Sequence, residues 1–355
     1  MSEFEISGRR IGDRYEPYII AEMSANHNGD INTAFRIIEE AKKAGADAVK
    51  IQTYTPDTIT LNSDLPDFQI KGGLWNGKTL YELYEWAHTP WEWHKPLFEH
   101  AKKVGIPIFS SPFDTTAVDL LENLNAPAYK IASFEAVDLP LIRYVAATGK
   151  PMIISTGMAD AEEIQEAITA AREGGCRELA ILHCVSGYPA PAEDYNLRTI
   201  GDMIERFGLV TGLSDHTLDN TTAIASVVLG ASIIEKHFTL DRNGGGPDDS
   251  FSLEPDGLAQ LRSNSATAWR ALGTVNYGRK SSEIGNIQFR RSLYFVKDLE
   301  PGEIISQDAV KSVRPGYGLL PKYFEEVVGK RTARSVVRNT PVKQEYICKG
   351  DGESD

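Results

Sequence analysis

The chain has 355 residues, of which 41% are hydrophobic and 25% charged, enough for one large and one small domain with an ordinary buried core. The formal net charge is -13 and no basic run is long enough to follow a phosphate backbone, so nucleic acid and anionic membranes are poor partners. Three widely spaced cysteines favour a reducing, cytoplasmic location, and we expect neither an export signal nor a membrane span.

Short apolar runs alternate with longer helical patterns along most of the chain, which predicts βα units and a parallel sheet. Eight such runs are present, at residues 18–24, 48–54, 106–112, 128–133, 151–157, 178–184, 210–215 and 233–239. Eight units predict an α/β fold of the (β/α)8 TIM-barrel type. The competing architecture is a doubly wound open sheet, but the Gly-x-Gly-x-x-Gly turn typical of that fold does not follow the first run.

One predicted connection is out of proportion to the others. Between Tyr54 and Trp91 lie more than thirty residues, which include Trp75 and Trp86. Connections of that length in compact domains are usually functional. Two interpretations stay open: these aromatic side chains cover a sugar ring, or they only attach an ordinary helical hairpin to the barrel.

The pattern changes after a last predicted helix at residues 255–272. A polar, glycine-containing linker follows, and the remainder has short β-rich pieces broken by Pro and Gly turns, with little helix. We therefore predict a barrel domain at residues 1–282 and a linker with a small β-rich domain at residues 283–355.

The active site of a (β/α)8 barrel is built from the C-terminal ends of its strands. Polar residues end all eight predicted strands: Glu22; Lys50 and Gln52; Ser110 and Ser111; Lys130 and Ser133; Ser155 and Thr156; His183 and Cys184; Ser214, Asp215 and His216; Glu235, Lys236 and His237. Charged groups at such positions are costly unless a ligand or mutual pairing compensates their desolvation. Lys236 alone is equally well interpreted as a structural ion-pair partner of Glu22 or Glu235.

Two histidines at the ends of predicted strands indicate a metal site. His216 and His237 end neighbouring strands, so both imidazoles can reach one divalent ion. With Glu22 or water completing a mixed nitrogen and oxygen shell, the set suits Mn²⁺ or Mg²⁺ better than a closed structural zinc site.

Two lysines predict an anion site in the same place. Lys50 and Lys130, with Ser133, Ser155 and Ser186, can bind a phosphate and a carboxylate together, as in phosphoenolpyruvate. A Schiff-base lyase is the rival hypothesis, because Lys130 lies in an otherwise apolar strand where desolvation lowers the pKa of an amine. That mechanism needs neither a metal nor a second basic residue, so the pairs favour metal-assisted condensation. A non-enzymatic sugar-binding protein would leave the convergence of titratable groups unexplained.

Eight ordered segments between residues 21 and 256 resemble motifs of the sialic acid synthase family. They are AEMSANHNGD, KIQTYTPDT, KIASFE, ISTGMA, LHCVSGYPAP, GLSDHT, EKHFTLDR and GPDDSFSLEPD. Members of that family are transferases that condense phosphoenolpyruvate with an open-chain N-acetylated sugar, releasing phosphate and giving a nine-carbon 2-keto acid. FRRSLY and VRPGYGL resemble the antifreeze-like (SAF) domain of the same family.

The resemblance implies a role for each matching residue. Those matching the phosphoenolpyruvate site are Lys50, Lys130, Ser133, Ser155 and Tyr188, and those matching the metal ligands are His216 and His237. Glu22 matches the general acid/base, whereas Gln52, Glu135 and Asp248 match sugar-binding positions. The sequence departs from the family's frequent Asn-x-Tyr-Pro motif at Ser186, which replaces the amide.

Arg314 matches an arginine that the SAF domain of one subunit inserts into the active site of the other, which implies a domain-swapped homodimer. The segments 72–98 and 246–256 are most similar to the pseudaminic acid synthase branch of the family. The acceptor of that branch is 2,4-diacetamido-2,4,6-trideoxy-L-altrose. Neuraminate and legionaminate synthases are the alternative branches.

Overall fold

The computed structural model describes residues 3–348 and divides the chain into two compact units at Gly273 and Thr274. The domain boundary that we predict at residue 283 lies in the 3-10 helix Ser281–Phe289 of the second unit. Among the helices of residues 3–348, none combines the length and the apolar character needed to cross a membrane.

The first unit is a closed parallel barrel preceded by a small hairpin. The hairpin pairs β1 (Phe4–Ile6) antiparallel with β2 (Arg9–Ile11). The barrel strands are β3 (Tyr18–Glu22), β4 (Ala48–Thr53), β5 (Ile108–Pro112), β6 (Tyr129–Ile131), β7 (Met152–Ser155), β8 (Leu179–Cys184), β9 (Val210–Asp215) and β10 (Ile233–His237). Each strand pairs with the next, and β10 pairs back to β3. The predicted (β/α)8 barrel is confirmed, and this closure excludes the open sheet.

Helices follow the barrel strands and cover their outer faces. They are α1 (Ile31–Ala44), α2 (Pro56–Ile59), α3 (Leu80–Ala87), α4 (His94–Val104), α5 (Thr115–Asn123), α6 (Leu139–Ala146), α7 (Ala161–Glu173), α8 (Thr199–Phe207), α9 (Thr221–Val228) and α10 (Pro255–Leu272). Side chains define their ends: Asp30 and Asp160 accept hydrogen bonds from the first turns of α1 and α7. The short helices α2 and α3 both lie in the long connection.

Strand alternation separates the two faces of the barrel wall. Ile19 and Val49 pack against the helices, whereas Tyr18, Ala48 and Phe109 belong to the cluster that fills the interior. The interior positions at the C-terminal ends of the strands are polar or cysteine: Glu22, Lys50 and Gln52, Ser111, Lys130, Ser155, Cys184, Ser214, and Glu235 and His237. The apolar interior therefore ends in a layer of polar side chains at the C-terminal ends of the strands.

The second unit is a small β-rich module, as expected. β11 (Ser292–Phe295) pairs antiparallel with β12 (Val310–Val313), and one short helix, α11 (Phe324–Val327), follows. Its core contains Leu293, Phe295 and Val342. Arg314 comes directly after β12 and is exposed.

Gly212 tests how closely the barrel interior is packed. A Cβ at this position of β9 would lie 2.4 Å from the carbonyl oxygen of Ile233 and 2.7 Å from Cδ2 of Leu182. We expect Gly212→Ala to lower the free energy of unfolding by about 1–3 kcal/mol, because the neighbouring strand backbone cannot yield. The matched control is Gly201→Ala in α8, where a Cβ meets nothing within 4 Å.

The control is expected to raise the free energy of unfolding by about 0.5–1 kcal/mol, since alanine restricts the unfolded chain and suits a helix. Urea denaturation measures both variants. Equal stability of the Gly212 variant and the unsubstituted chain would contradict the close packing.

Candidate active site

A cavity of about 430 Å³ opens at the C-terminal ends of the barrel strands. It is lined by every predicted site residue of the first unit: Glu22, Lys50, Gln52, Lys130, Ser133, Glu135, Ser155, Ser186, Tyr188, His216, His237 and Asp248. Arg314 is the one predicted site residue that belongs to the second unit. Glu235 also lines the cavity, as do Ser24, Tyr54, Cys184 and Ser214.

Four buried charged side chains form one ion cluster at the floor of this cavity. Nζ of Lys50 lies 3.0 Å from Oε2 of Glu22 and 3.6 Å from Oε1 of Glu235. Nζ of Lys130 lies 3.4 Å from the same Glu235 oxygen. Because Glu235 serves both lysines, removing any member would leave an uncompensated charge away from water.

The cluster sets the protonation of its members. Burial raises the pKa of Glu22 to about 7, against the opposing effect of Lys50. Burial also acts to raise the pKa of Glu235, but Lys130 and Lys50 outweigh it and the net shift is downward. Burial lowers the pKa of Lys130, whereas the two carboxylates overcome burial at Lys50 and raise its pKa. Of the two carboxyls in the cluster, Glu22 is therefore the one whose charge changes near neutral pH, as a general acid/base requires.

Hydroxyl groups form the wall beside the lysines. Oγ of Ser133 lies 2.8 Å from Oγ of Ser186, and Oγ of Ser155 is buried without a hydrogen-bond partner. A Cβ at Gly157 would lie 2.3 Å from Oγ of Ser186, so only glycine leaves room for this pair. Since buried polar groups are normally satisfied, the open hydroxyl of Ser155 indicates a ligand with acceptor atoms.

A second set of polar side chains also lines the cavity. Gln52 donates through Nε2 to Oε1 of Glu22 at 3.2 Å and to Oγ of Ser24 at 3.0 Å, and Ser24 donates in turn to Asp248. Burial raises the pKa of Glu135 to about 7, and its Oε2 is buried without a hydrogen-bond partner. These groups can bind hydroxyl and amide groups of a polar substrate.

The two predicted metal-binding histidines lie side by side, with ring centroids 5.4 Å apart. His216 donates through Nδ1 to the carbonyl of Val185 at 2.8 Å, which leaves its Nε2 as a lone-pair donor. Burial lowers the pKa of His216 to about 4 and that of His237 well below its ordinary value. Both imidazoles are therefore neutral at physiological pH, and Nδ1 of His237 is buried without a hydrogen-bond partner.

This arrangement fits a metal site that is open to substrate. Among residues 3–348, no three His, Cys, Asp or Glu side chains form a complete ligand set. Two imidazoles would leave the remaining positions to water and substrate oxygen atoms, as in catalytic metal sites. Glu22 is engaged by Lys50 and Gln52, and the carboxylate beside His237 is that of Asp248, at 3.8 Å.

Lys236 has a different partner from those expected. Its Nζ lies 2.8 Å from Oδ2 of Asp215 and donates to the carbonyl of Thr217 at 2.8 Å. It pairs with neither Glu22 nor Glu235, because strand alternation directs Lys236 away from the cavity. Its role is structural.

Alternation also excludes three other polar residues from the cavity lining. They bond to backbone carbonyls instead: Ser110 to Ile51, Thr156 to Leu182 and His183 to Tyr195. The same rule would have identified Glu235 as a site residue, since it shares a face of β10 with His237.

The long connection contributes to the cavity and also packs against the barrel. Trp75 lines the cavity and donates through Nε1 to the carbonyl of Pro247 at 3.1 Å. Trp86 is 43% exposed and lies under the ammonium group of Lys78. Of these two tryptophans, only Trp75 is placed to cover a substrate.

The barrel and this cavity define a (β/α)8-barrel enzyme whose site combines an anion-binding lysine pair with two neutral histidines. The NeuB family model matches residues 37–277, and the SAF domain model matches residues 290–346. The chain belongs to the NeuB family, which confirms the resemblance to sialic acid synthases.

Relatives and a solved structure agree with this assignment. The chain is 46% identical to a pseudaminic acid synthase of Campylobacter jejuni, covering 92% of this chain and 95% of that protein. It is 37% identical to an N,N'-diacetyllegionaminic acid synthase of the same species, covering 92% and 98%. The crystal structure of an N-acetylneuraminic acid synthetase from Leptospira borgpetersenii superimposes with a TM-score of 0.72 at 31% identity, covering 81% of this chain and 96% of that one.

Glu135 gives a stability test of the site. Its pKa is about 7 in the folded chain against an ordinary 4.5, so folding disfavours the ionised form. The resulting loss of stability is absent at pH values below 4.5 and complete above 7. We expect Glu135→Gln to raise the free energy of unfolding by on the order of 2 kcal/mol at pH 8 and by much less at pH 5.

Urea denaturation at the two pH values measures this difference, with Glu166→Gln on the exposed face of α7 as the surface control. The same gain at pH 5 and pH 8 would show that burial of the Glu135 carboxylate is not the cause.

Proposed function

We propose that this chain is a pseudaminic acid synthase, which condenses phosphoenolpyruvate with 2,4-diacetamido-2,4,6-trideoxy-L-altrose. The observation that carries the proposal is the pair of buried lysines beside two neutral histidines in one cavity. The higher identity to a pseudaminic acid synthase than to a legionaminic acid synthase, over the same share of the chain, supports this acceptor. Neuraminate and legionaminate synthase activities fit less well.

Lys50 and Lys130 bind the phosphate and carboxylate of phosphoenolpyruvate in this proposal. The open hydroxyl of Ser155 and the Ser133–Ser186 pair supply further donors. Tyr188, whose ring centroid lies 4.3 Å from that of His216, closes the same side. Gln52, Glu135 and Asp248 bind the acceptor.

The reaction joins C3 of phosphoenolpyruvate to the aldehyde carbon of the acceptor, and the aldehyde oxygen becomes a hydroxyl. Water adds to C2, and the tetrahedral intermediate loses phosphate by cleavage of the C2–O bond, which leaves the 2-keto group. Glu22 moves the protons, because its carboxyl changes charge near neutral pH. The lysines stabilise the negative charge of the phosphate throughout.

We place a divalent ion, Mn²⁺ or Mg²⁺, at His216 and His237. When bound, such an ion polarises the acceptor aldehyde as a Lewis acid. The neutral imidazoles and the unpartnered Nδ1 of His237 support this assignment.

The Schiff-base hypothesis is less consistent with the cavity. Burial lowers the pKa of Lys130, but its pairing with Glu235 opposes that shift, and a second lysine lies in the same cluster. A nucleophilic amine would need the neutral form.

A domain-swapped homodimer in the cytoplasm completes the proposal. Arg314 is exposed and, within residues 3–348, makes neither an ion pair nor a side-chain hydrogen bond, so it is available to a bound anion. Phe134, Val137 and Met158 are exposed apolar side chains just beyond β6 and β7, which suits coverage by a second copy. The three free cysteines, Cys176, Cys184 and Cys348, agree with a reducing compartment.

Phosphate release tests the proposed chemistry. We expect release from phosphoenolpyruvate to require both the altrose acceptor and Mn²⁺ or Mg²⁺, and to stop with EDTA. Lys130→Met should lower turnover by about 100-fold or more, because it removes a donor from the developing charge. The control is Lys43→Met, a surface lysine of α1. Undiminished release by the Lys130 variant would contradict its assignment.

Subunit complementation tests the swapped arginine. In a swapped dimer, a Lys130→Met subunit still supplies Arg314 to the intact barrel of an Arg314→Ala partner. Co-expression of the two inactive variants should therefore restore about a quarter of wild-type activity, since half of randomly formed dimers carry one complete site. No recovery in isolated mixed dimers would place the arginine in its own subunit's site, whereas full activity of the Arg314→Ala variant alone would place it outside the reaction.

A further inference from the structure

One side of the cavity is apolar, in contrast to its charged floor. This apolar wall consists of Ile59, Ile70, Trp75, Leu80, Leu83 and Tyr84, all from the long connection between β4 and α4. Helix α3 supplies three of them, at positions i, i+3 and i+4, and the next residue of that stripe, Ala87, also lines the cavity. The apolar face of this helix therefore borders the cavity.

The apolar wall is held in place by specific hydrogen bonds. Ile70 donates its N–H to the carbonyl of Lys78 at 2.9 Å, which closes a short hairpin that includes Trp75. A capping box joins Thr79 and Glu82 and fixes the start of α3, with N–H to side-chain distances of 2.8 and 3.1 Å. Trp75 is tied to the carbonyl of Pro247, next to Asp248. These hydrogen bonds fix the position of the wall beside the cavity.

The polarity of the cavity orients an open-chain sugar. Its aldehyde must reach the floor, where Lys50, Lys130 and the two histidines lie, so the opposite end of the chain points toward the cavity mouth. The apolar wall belongs to the loop side of the barrel, because its connection follows the C-terminal end of β4, and Trp75 in it donates to the carbonyl next to Asp248. A hydroxyl group placed against it would lose its hydrogen bonds to water without replacement, whereas a methyl group would lose nothing.

We infer that the apolar wall binds the methyl-bearing end of the acceptor, that is, C6 and the 4-acetamido methyl, and selects a 6-deoxy sugar over its 6-hydroxy counterpart. This inference rests on the proposed function, because it takes the acceptor from it. The long connection between β4 and α4 then determines which acceptor binds, while the floor of the cavity performs chemistry common to any acceptor.

Calorimetry with non-reacting alditols tests the wall apart from catalysis. The two ligands are the alditol of the proposed acceptor and the same alditol with a hydroxyl on C6. The wild-type chain, saturated with phosphoenolpyruvate and Mn²⁺, should bind the 6-deoxy alditol about 10- to 100-fold more tightly. Leu80→Gln and Ile70→Thr should each bring this ratio close to one and leave affinity for phosphoenolpyruvate unchanged.

The matched control is Leu65→Gln in the same connection, where the leucine is 65% exposed and lies outside the cavity lining, and it should keep the wild-type ratio. Equal binding of both alditols by the wild-type chain, or an unchanged ratio in the two wall variants, would overturn the inference. Weakening of both alditols to the same degree would also overturn it, because that result indicates a structural role.

The test also separates the inference from the function on which it rests. A preference for the 6-deoxy alditol that is lost in the wall variants supports the wall even if the parent aldehyde gives no phosphate release. In that case the proposed synthase activity is contradicted and the proposed role of the apolar wall is supported. Phosphate release without any alditol preference would support the synthase activity and contradict the inference about the apolar wall.

Discussion

The buried ion cluster of Glu22, Lys50, Lys130 and Glu235 is the interaction on which the rest of the site depends. Both lysines are buried: Lys50 is compensated by Glu22 and Glu235 and also donates to Oγ of Ser111, whereas Lys130 is compensated by Glu235. Breaking such a buried pair costs about 3–5 kcal/mol, so the four strands that carry these residues must keep their register. Barrel closure supplies that register: β10 lies beside β3, and β3 places Glu22 beside Lys50.

The same cluster explains why the cavity suits an anionic substrate. The positive charge that its lysines offer to a ligand is shared with two carboxylates, one of which becomes neutral near pH 7. An incoming phosphate and carboxylate can therefore take over the lysines while Glu22 holds a proton. The neutral histidines and the apolar wall add no side-chain charge of their own, so the reaction takes place at the charged floor and the shape of the acceptor is recognised above it.

Much of this arrangement could be predicted from the sequence, because the alternation of strands and the repeat of helices determine which side chains of a barrel face its interior. All eight strands, and the cavity residues at their ends, follow from apolar runs and the residues that end them, whereas Glu135, Tyr188 and Asp248 were indicated only by the resemblance to sialic acid synthases. The run Glu235-Lys236-His237 was harder to interpret, because three consecutive polar residues occupy both faces of the strand. Only strand alternation shows which of them face the cavity. β1 and β2 were missed because three-residue strands carry no period. The sequence also places Trp75 and Trp86 in one connection without indicating that the cavity-facing stripe of α3 leaves Trp86 outside the lining.

The central claim is that phosphoenolpyruvate reacts at the lysine cluster with cleavage of its C2–O bond. The fate of its bridging oxygen tests this claim most directly. If this oxygen is labelled with oxygen-18 and the enzyme is supplied with acceptor and metal, phosphorus NMR of the product shows which bond has broken. Condensation at the lysine cluster with water adding to C2 predicts that all the label leaves with phosphate. Unlabelled phosphate, with the label in the sugar acid or in pyruvate, would mean cleavage at phosphorus and would contradict the mechanism.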